Sequence, residues 1–129
     1  QITCLPIIMK RILYVEDDQI NALVMQRLLK EHVEVIQVPD GETCLSVLAS
    51  ETFDLILMDI NLGRGKMDGV ETLHRIRSNP LTKNINVIAV TSYALSEDKD
   101  RFLCEGFDAY LAKPVDRQLL LKTINQYLD

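Results

Sequence analysis

The chain has 129 residues and a mass of 14.7 kDa, enough for one domain built around one core. Hydrophobic residues make up 47% and charged residues 26%, with five Gly and four Pro, a balance that excludes disordered, collagen-like and low-complexity chains. The net charge of −5 has the wrong sign for neutralising nucleic-acid phosphates or resting on an anionic membrane, and no apolar run approaches the ~18 residues of a membrane span.

Arg11 to Val15 is short, apolar and β-favouring, and it runs straight into the acidic triplet Glu16-Asp17-Asp18. From Gln19 to Glu31, Ile20, Leu23, Val24, Met25, Leu28 and Leu29 recur at helical spacing, with Asp18 placed as the cap. Val33 to Val38 alternates like a strand, and Pro39-Asp40-Gly41 turns the chain into a helix from Glu42 to Ser50. Asp54 to Met58 is a continuous apolar run that ends on Asp59. After a loop with Gly63 and Gly65, Asp68 and Glu71 have capping-box spacing and open a helix that runs through Ser78 and stops before Pro80. Ile85 to Thr91 is the next strand, and Ser96 to Glu105 is a helix closed by Gly106. Asp108 to Ala112 is a fifth strand, followed by Lys113-Pro114 and by a last helix capped by Asp116 and running through Tyr127.

Five strands alternating with five helices, the strands almost wholly apolar, predict an α/β doubly wound fold with a parallel sheet covered on both faces. The N-terminus lacks the features of a signal peptide, and the chain reads as soluble and cytoplasmic. Cys4, Cys44 and Cys104 form no C-x-x-C pair, so they read as isolated thiols in a reducing compartment. His32 and His74 read as surface residues.

Ligands of such sheets bind beyond the carboxyl ends of the strands. There the sequence sets Glu16 and Asp17, Asp59, Thr91-Ser92, and Lys113-Pro114. Three carboxylates gathered at one rim call for a cation, because an unpaired carboxylate removed from water is strongly unfavourable. Oxygen ligands without His or Cys favour magnesium, and one divalent ion together with Lys113 balances the three carboxylates. A neutralised carboxylate beside a cation, a lysine and a hydroxyl is suited to accepting a phosphoryl group, with Asp59 as the nucleophile.

The ordered set Ile12-Leu13-Tyr14-Val15-Glu16-Asp17-Asp18, Asp54 to Asn61, Met67-Asp68-Gly69, Val90-Thr91-Ser92-Tyr93-Ala94 and Tyr110-Leu111-Ala112-Lys113-Pro114 resembles the motif series of response-regulator receiver domains of two-component signalling. The resemblance runs from Lys10 to Leu128 and implies a flavodoxin-like five-stranded sheet of order 2-1-3-4-5. It also implies residue roles. Asp59 is then the phosphoacceptor for a phosphohistidine. Asp17, Asp59 and the carbonyl of Asn61 hold Mg2+, with Glu16 acting directly or through water. Thr91 and Lys113 contact the phosphoryl oxygens. Tyr110 is the switch aromatic that follows Thr91 and shifts the face made by helix four, strand five and helix five. The implied partners are a histidine kinase or a histidine phosphotransfer protein.

The sequence departs from the family pattern twice. Gly63 stands where a proline is usual, in a longer stretch, Leu62 to Lys66, whose Arg64 and Lys66 are expected to alter donor docking or phosphoryl lifetime. Glu16 replaces the more frequent aspartate and adds one methylene of reach. Ile20, Leu23 and Met25 on the first helix form either a docking surface for a histidine-bearing helix or a broad core face. Residues 1–9 form an N-terminal extension to the domain of residues 10–129. Gln1 is no initiator and Ile2 to Pro6 resembles the closing strand of a kinase ATPase domain, which implies the receiver of a hybrid histidine kinase; Met9-Lys10-Arg11 as the start of a stand-alone regulator is the other reading.

Two further functions compete with the switch. An aspartate-nucleophile phosphohydrolase uses a second aspartate two residues on, where this chain has Asn61. A receiver-like interaction domain without phosphotransfer is opposed by the intact set Glu16, Asp17, Asp59, Thr91 and Lys113. No nucleotide-binding glycine motif follows any strand. No output domain is expected beyond Asp129, nor is direct contact with DNA or membrane. Whether the switch face forms a homodimer is left open by its charges.

Overall fold

In the computed structural model, which describes residues 9–60, 67–92 and 96–128, the apolar runs become five parallel strands. They are β1 (Arg11–Val15), β2 (Glu34–Val38), β3 (Leu55–Asp59), β4 (Val87–Thr91) and β5 (Ala109–Ala112). The described residues also form five helices: α1 (Gln19–Leu29), α2 (Gly41–Ser50), α3 (Gly69–Ser78), α4 (Ser96–Glu105) and α5 (Arg117–Leu128). The sheet order is β2-β1-β3-β4-β5, as the resemblance implies. β3 and β4 are buried along their whole length, whereas the edge strands β2 and β5 are only partly covered.

Strand alternation divides the core in two. Ile12, Tyr14, Leu55, Leu57, Ile88, Val90 and Leu111 face α1 and α5, meeting Ala22, Met25 and Leu29 from one and Leu120 and Ile124 from the other. Leu13, Val15, Ile56, Met58, Val87 and Ala89 face α2, α3 and α4, meeting Cys44, Leu73, Ile76 and Phe102. Order reverses between β1 and β3, so a crevice opens beyond their carboxyl ends.

The caps expected at Asp18, Asp68 and Asp116 form, and Asp40, read only as part of a turn, caps α2 as well. Asp18 Oδ1 accepts from the backbone N–H of Ile20 at 2.8 Å and of Asn21 at 3.1 Å, Asp40 from Thr43 at 2.7 Å, Asp68 from Glu71 at 2.8 Å, and Asp116 from Leu119 at 2.9 Å. Gly106, at φ 115°, ends α4: the Phe107 N–H bonds to the Phe102 carbonyl at 3.3 Å and the two rings meet edge to face at 6.1 Å. Several ends differ from expectation by one or two residues. The differences of two residues are at the end of α1 and at the start of β4, which begins at Val87 instead of Ile85 because the Ile85 N–H bonds back to the Thr82 carbonyl and its own carbonyl accepts from Arg77.

Candidate functional site

β1 turns Ile12 and Tyr14 toward α1 and α5, and the same two-residue step carries Glu16 to that side. There the Tyr14 hydroxyl donates to Glu16 Oε1 at 2.9 Å. β3 repeats the pattern with Leu55, Leu57 and Asp59, and Lys113 lies two residues past Leu111 of β5. Side chains from three strand ends therefore meet: Lys113 Nζ lies 3.0 Å from Glu16 Oε1 and 3.2 Å from Asp59 Oδ2. Glu16 is 1% exposed and Asp59 2%.

The acidic triplet divides its tasks. Glu16 points inward, its N–H bonds to the Val38 carbonyl at 2.9 Å, and its Oε2 accepts from the Asp18 N–H at 3.3 Å. Asp17 is exposed at the rim, and Asp18 is the helix cap. Glu16, Asp17 and Asp59 each offer one carboxylate oxygen, all within 4.8 Å of one another.

The remaining walls hold this geometry. Thr91 is fully buried at the end of β4, and its carbonyl accepts from the Lys113 N–H at 2.8 Å. The Lys113–Pro114 peptide is cis. On the other side, α3 starts against β3: a Cβ on Gly69 would stand 2.7 Å from the Asp59 carbonyl oxygen and 3.1 Å from Ile60 Cα, so only glycine allows this approach.

Burial, and then the hydrogen bond and charge of Asp59, push the Glu16 carboxyl above the usual carboxylate range; hydrogen bonds from Lys113 and Tyr14 oppose that rise. Burial works against the Lys113 ammonium, but its contacts with Glu16 and Asp59 outweigh it and raise its pKa. Burial and the neighbouring Glu16 charge also raise Tyr14. Three oxygen donors and a single ammonium leave negative charge in excess, so the residues fit a hard divalent cation such as magnesium.

The fold thus brings together Glu16, Asp17, Asp59 and Lys113, and places Thr91 on the adjoining strand end. Tyr110 is half-buried on β5, its ring stacked on Phe102 of α4 at 6.2 Å. Asn61, the stretch Leu62 to Lys66, Tyr93, Ala94 and the segment Ile2 to Pro6 lie outside the described residues. On α1, Met25 belongs to the core, whereas Ile20, Leu23 and Val24 are 74%, 49% and 52% exposed, so the core reading holds for Met25 and not for Ile20 or Leu23. Tyr14 was not singled out by the sequence as a site residue; the alternation along β1, which puts it on the same side as Glu16, was the available signal.

Comparisons with known proteins identify the family. DivK, a polar-differentiation response regulator of Brucella anthropi, is 32% identical over 120 residues, covering 92% of this chain and 96% of DivK. The sensor protein GacS of Pseudomonas syringae pv. syringae is 32% identical over 118 residues, covering 88% of this chain and 13% of GacS. Among solved structures, the receiver domain of sensor histidine kinase PA1611 of Pseudomonas aeruginosa, crystallised with magnesium in its active-site cleft, superimposes with a TM-score of 0.84 at 30% identity, covering 94% of this chain and 98% of that one. A CheY-like receiver domain from Methanospirillum hungatei gives 0.81 at 35% identity, covering 94% of each chain. The response regulator receiver domain family matches residues 12–125, and the chain belongs to it: it is a receiver domain of two-component signalling.

Proposed function

We propose that the chain is a phosphorylation-dependent switch in which Asp59 accepts a phosphoryl group from a phosphohistidine on a histidine kinase or histidine phosphotransfer protein. The observation that carries this reading is the placing of Asp59, a buried carboxylate that closes an apolar strand and is paired with Lys113 at 3.2 Å. A strand of this kind gains nothing structurally from an acidic end. In the transfer, an Asp59 carboxylate oxygen attacks phosphorus, the new O–P bond forms as the histidine N–P bond breaks, and the electron pair remains on the imidazole.

Lys113 would pair with the incoming phosphoryl oxygens, a role supported by its position beside Asp59 and Glu16. Thr91 supplies a hydroxyl at the next strand end. Glu16, Asp17, Asp59 and the carbonyl of Asn61 would hold Mg2+, a reading supported by the acidic cluster and by the magnesium in the PA1611 receiver. When bound, the ion supplies charge neutralisation for the carboxylates and the equatorial oxygens.

Phosphorylation would be read out through Thr91 and Tyr110. The Tyr110 ring is stacked on Phe102, so a rotation of Tyr110 is transmitted to α4. The exposed Ile20, Leu23 and Val24 open α1 next to the acidic triplet, which suits docking of a histidine-bearing helix. The similarity to part of GacS supports a place in a relay with a histidine kinase.

Intact-protein mass after incubation with acetyl phosphate and magnesium tests the reading. One added phosphoryl group, absent with a chelator and absent in Asp59→Asn, is expected. Wild-type protein that binds magnesium and stays unmodified by both acetyl phosphate and a phosphorylated histidine donor overturns it.

A further inference from the structure

Glu16 and Tyr14 form a pair that the core would not otherwise accept. Tyr14 is 1% exposed, and a hydroxyl this deep needs a partner to offset its desolvation. Glu16 is equally buried and has one methylene more than an aspartate, hence one more torsion to fix. The glutamate folds back along β1 and accepts the Tyr14 hydroxyl at 2.9 Å on Oε1, the same oxygen that accepts Lys113 Nζ at 3.0 Å. A carboxylate oxygen has two lone pairs, and these two donors occupy both of them on Oε1.

We propose that Tyr14 is a positioning residue for the cation site: its hydroxyl, with Lys113, saturates Glu16 Oε1 and leaves Oε2, on the side of the turn that carries Asp17, as the oxygen with capacity for a cation. Oε2 accepts from the Asp18 N–H at 3.3 Å, in the turn that carries Asp17, and so has one lone pair left for an ion. Tyr14 thereby takes up the extra reach that glutamate brings to the end of β1. A partner that orients a metal ligand through its other oxygen acts as the outer residues of metal sites do, where loss typically weakens metal affinity about 10–100-fold. The inference rests on the proposed cation site and adds to it a residue that touches no ion.

The test is the Mg2+ dissociation constant, measured by titration calorimetry on wild type, Tyr14→Phe, Glu16→Asp and the double variant. Phenylalanine removes the hydroxyl alone, and the expected weakening is about tenfold. In the Glu16→Asp background the shorter side chain does not reach Tyr14, so Tyr14→Phe is expected to leave the constant unchanged. Equal weakening in both backgrounds, or none in either, overturns the positioning role. A second measurement needs no variant: the Cζ resonance of 13C-labelled Tyr14 should shift along the same Mg2+ binding curve in wild type, and a resonance unmoved at saturation contradicts the proposal. Wild-type protein that binds no magnesium overturns the cation site as well, whereas binding that ignores the hydroxyl overturns the role of Tyr14 alone.

Discussion

Lys113 Nζ lies 3.0 Å from Glu16 Oε1 although 97 residues separate the two, and this contact ties the last strand of the sheet to the first across the site. The same ammonium reaches Asp59 at 3.2 Å. Removing it leaves two buried carboxylates facing each other. Lys113→Met, which keeps most of the apolar stem, is expected to destabilise the magnesium-free protein by about 1–3 kcal/mol at neutral pH. The figure lies below that for a fully enclosed pair because Lys113 keeps some solvent contact. Urea unfolding of both proteins in chelator measures it, and the deficit should shrink in acid as a carboxyl takes up a proton.

The electrostatics of Glu16 set a pH dependence of defined sign. Its folded-state pKa stands above the ordinary 4.5, through burial first and Asp59 second, against the opposing hydrogen bonds of Lys113 and Tyr14. In that window the folded state binds more protons than the unfolded state, so stability falls as pH rises. The contribution of Glu16 is fully present below 4.5 and is lost as pH rises through its folded value. Melting temperatures in chelator should follow this course, and Glu16→Gln should flatten it. Added magnesium competes with the proton, so the melting-temperature gain it gives should grow over the same pH window.

Gly69 sets how closely α3 approaches the acceptor strand. A Cβ there meets the Asp59 carbonyl oxygen at 2.7 Å, a backbone atom that cannot swing aside. Gly69→Ala is expected to lower stability by about 1–3 kcal/mol. Because the strained atoms belong to Asp59 and Ile60, magnesium affinity should fall as well. Urea unfolding and magnesium titration of the variant check both effects.

The thiols differ in the same way as their surroundings. Cys44 is wholly buried and pushed up to about 12, by burial first and the charge of Asp40 second, whereas Cys104 is exposed. Iodoacetamide at neutral pH should label Cys104 in the native protein and Cys44 only after unfolding, as read by peptide mass. Native labelling of Cys44 would show that α2 is not seated on the sheet as described.

Much of this architecture was legible because burial on both faces leaves β3 and β4 without polar interruptions, and because Asp18, Asp40, Asp68 and Asp116 mark four helix starts. The site residues at the strand ends were legible for the same reason: a charge at the close of an apolar strand has no packing role. What could not be read locally depends on neighbours distant in the chain. Arg77 donates to the carbonyls of Lys83 and Gly106 and to Asp108, tying α3 to the loops before β4 and β5, and nothing at Arg77 itself announces those partners. The early end of α1 at Leu29 is likewise set by a turn in which the N–H groups of His32 and Val33 return to the Leu29 carbonyl. Tyr14 lies between these cases, since its side of β1 follows from alternation while its bond to Glu16 requires the glutamate to fold back.

The central claim is that Asp59 is the phosphoryl acceptor. Borohydride reduction of the protein after reaction with a phosphorylated donor converts an aspartyl phosphate to homoserine, and peptide sequencing by mass locates it. Homoserine at position 59 in wild type, and nowhere in Asp59→Asn, is the result predicted. A phosphorylated protein in which position 59 remains aspartate, with the label on another residue, would contradict it.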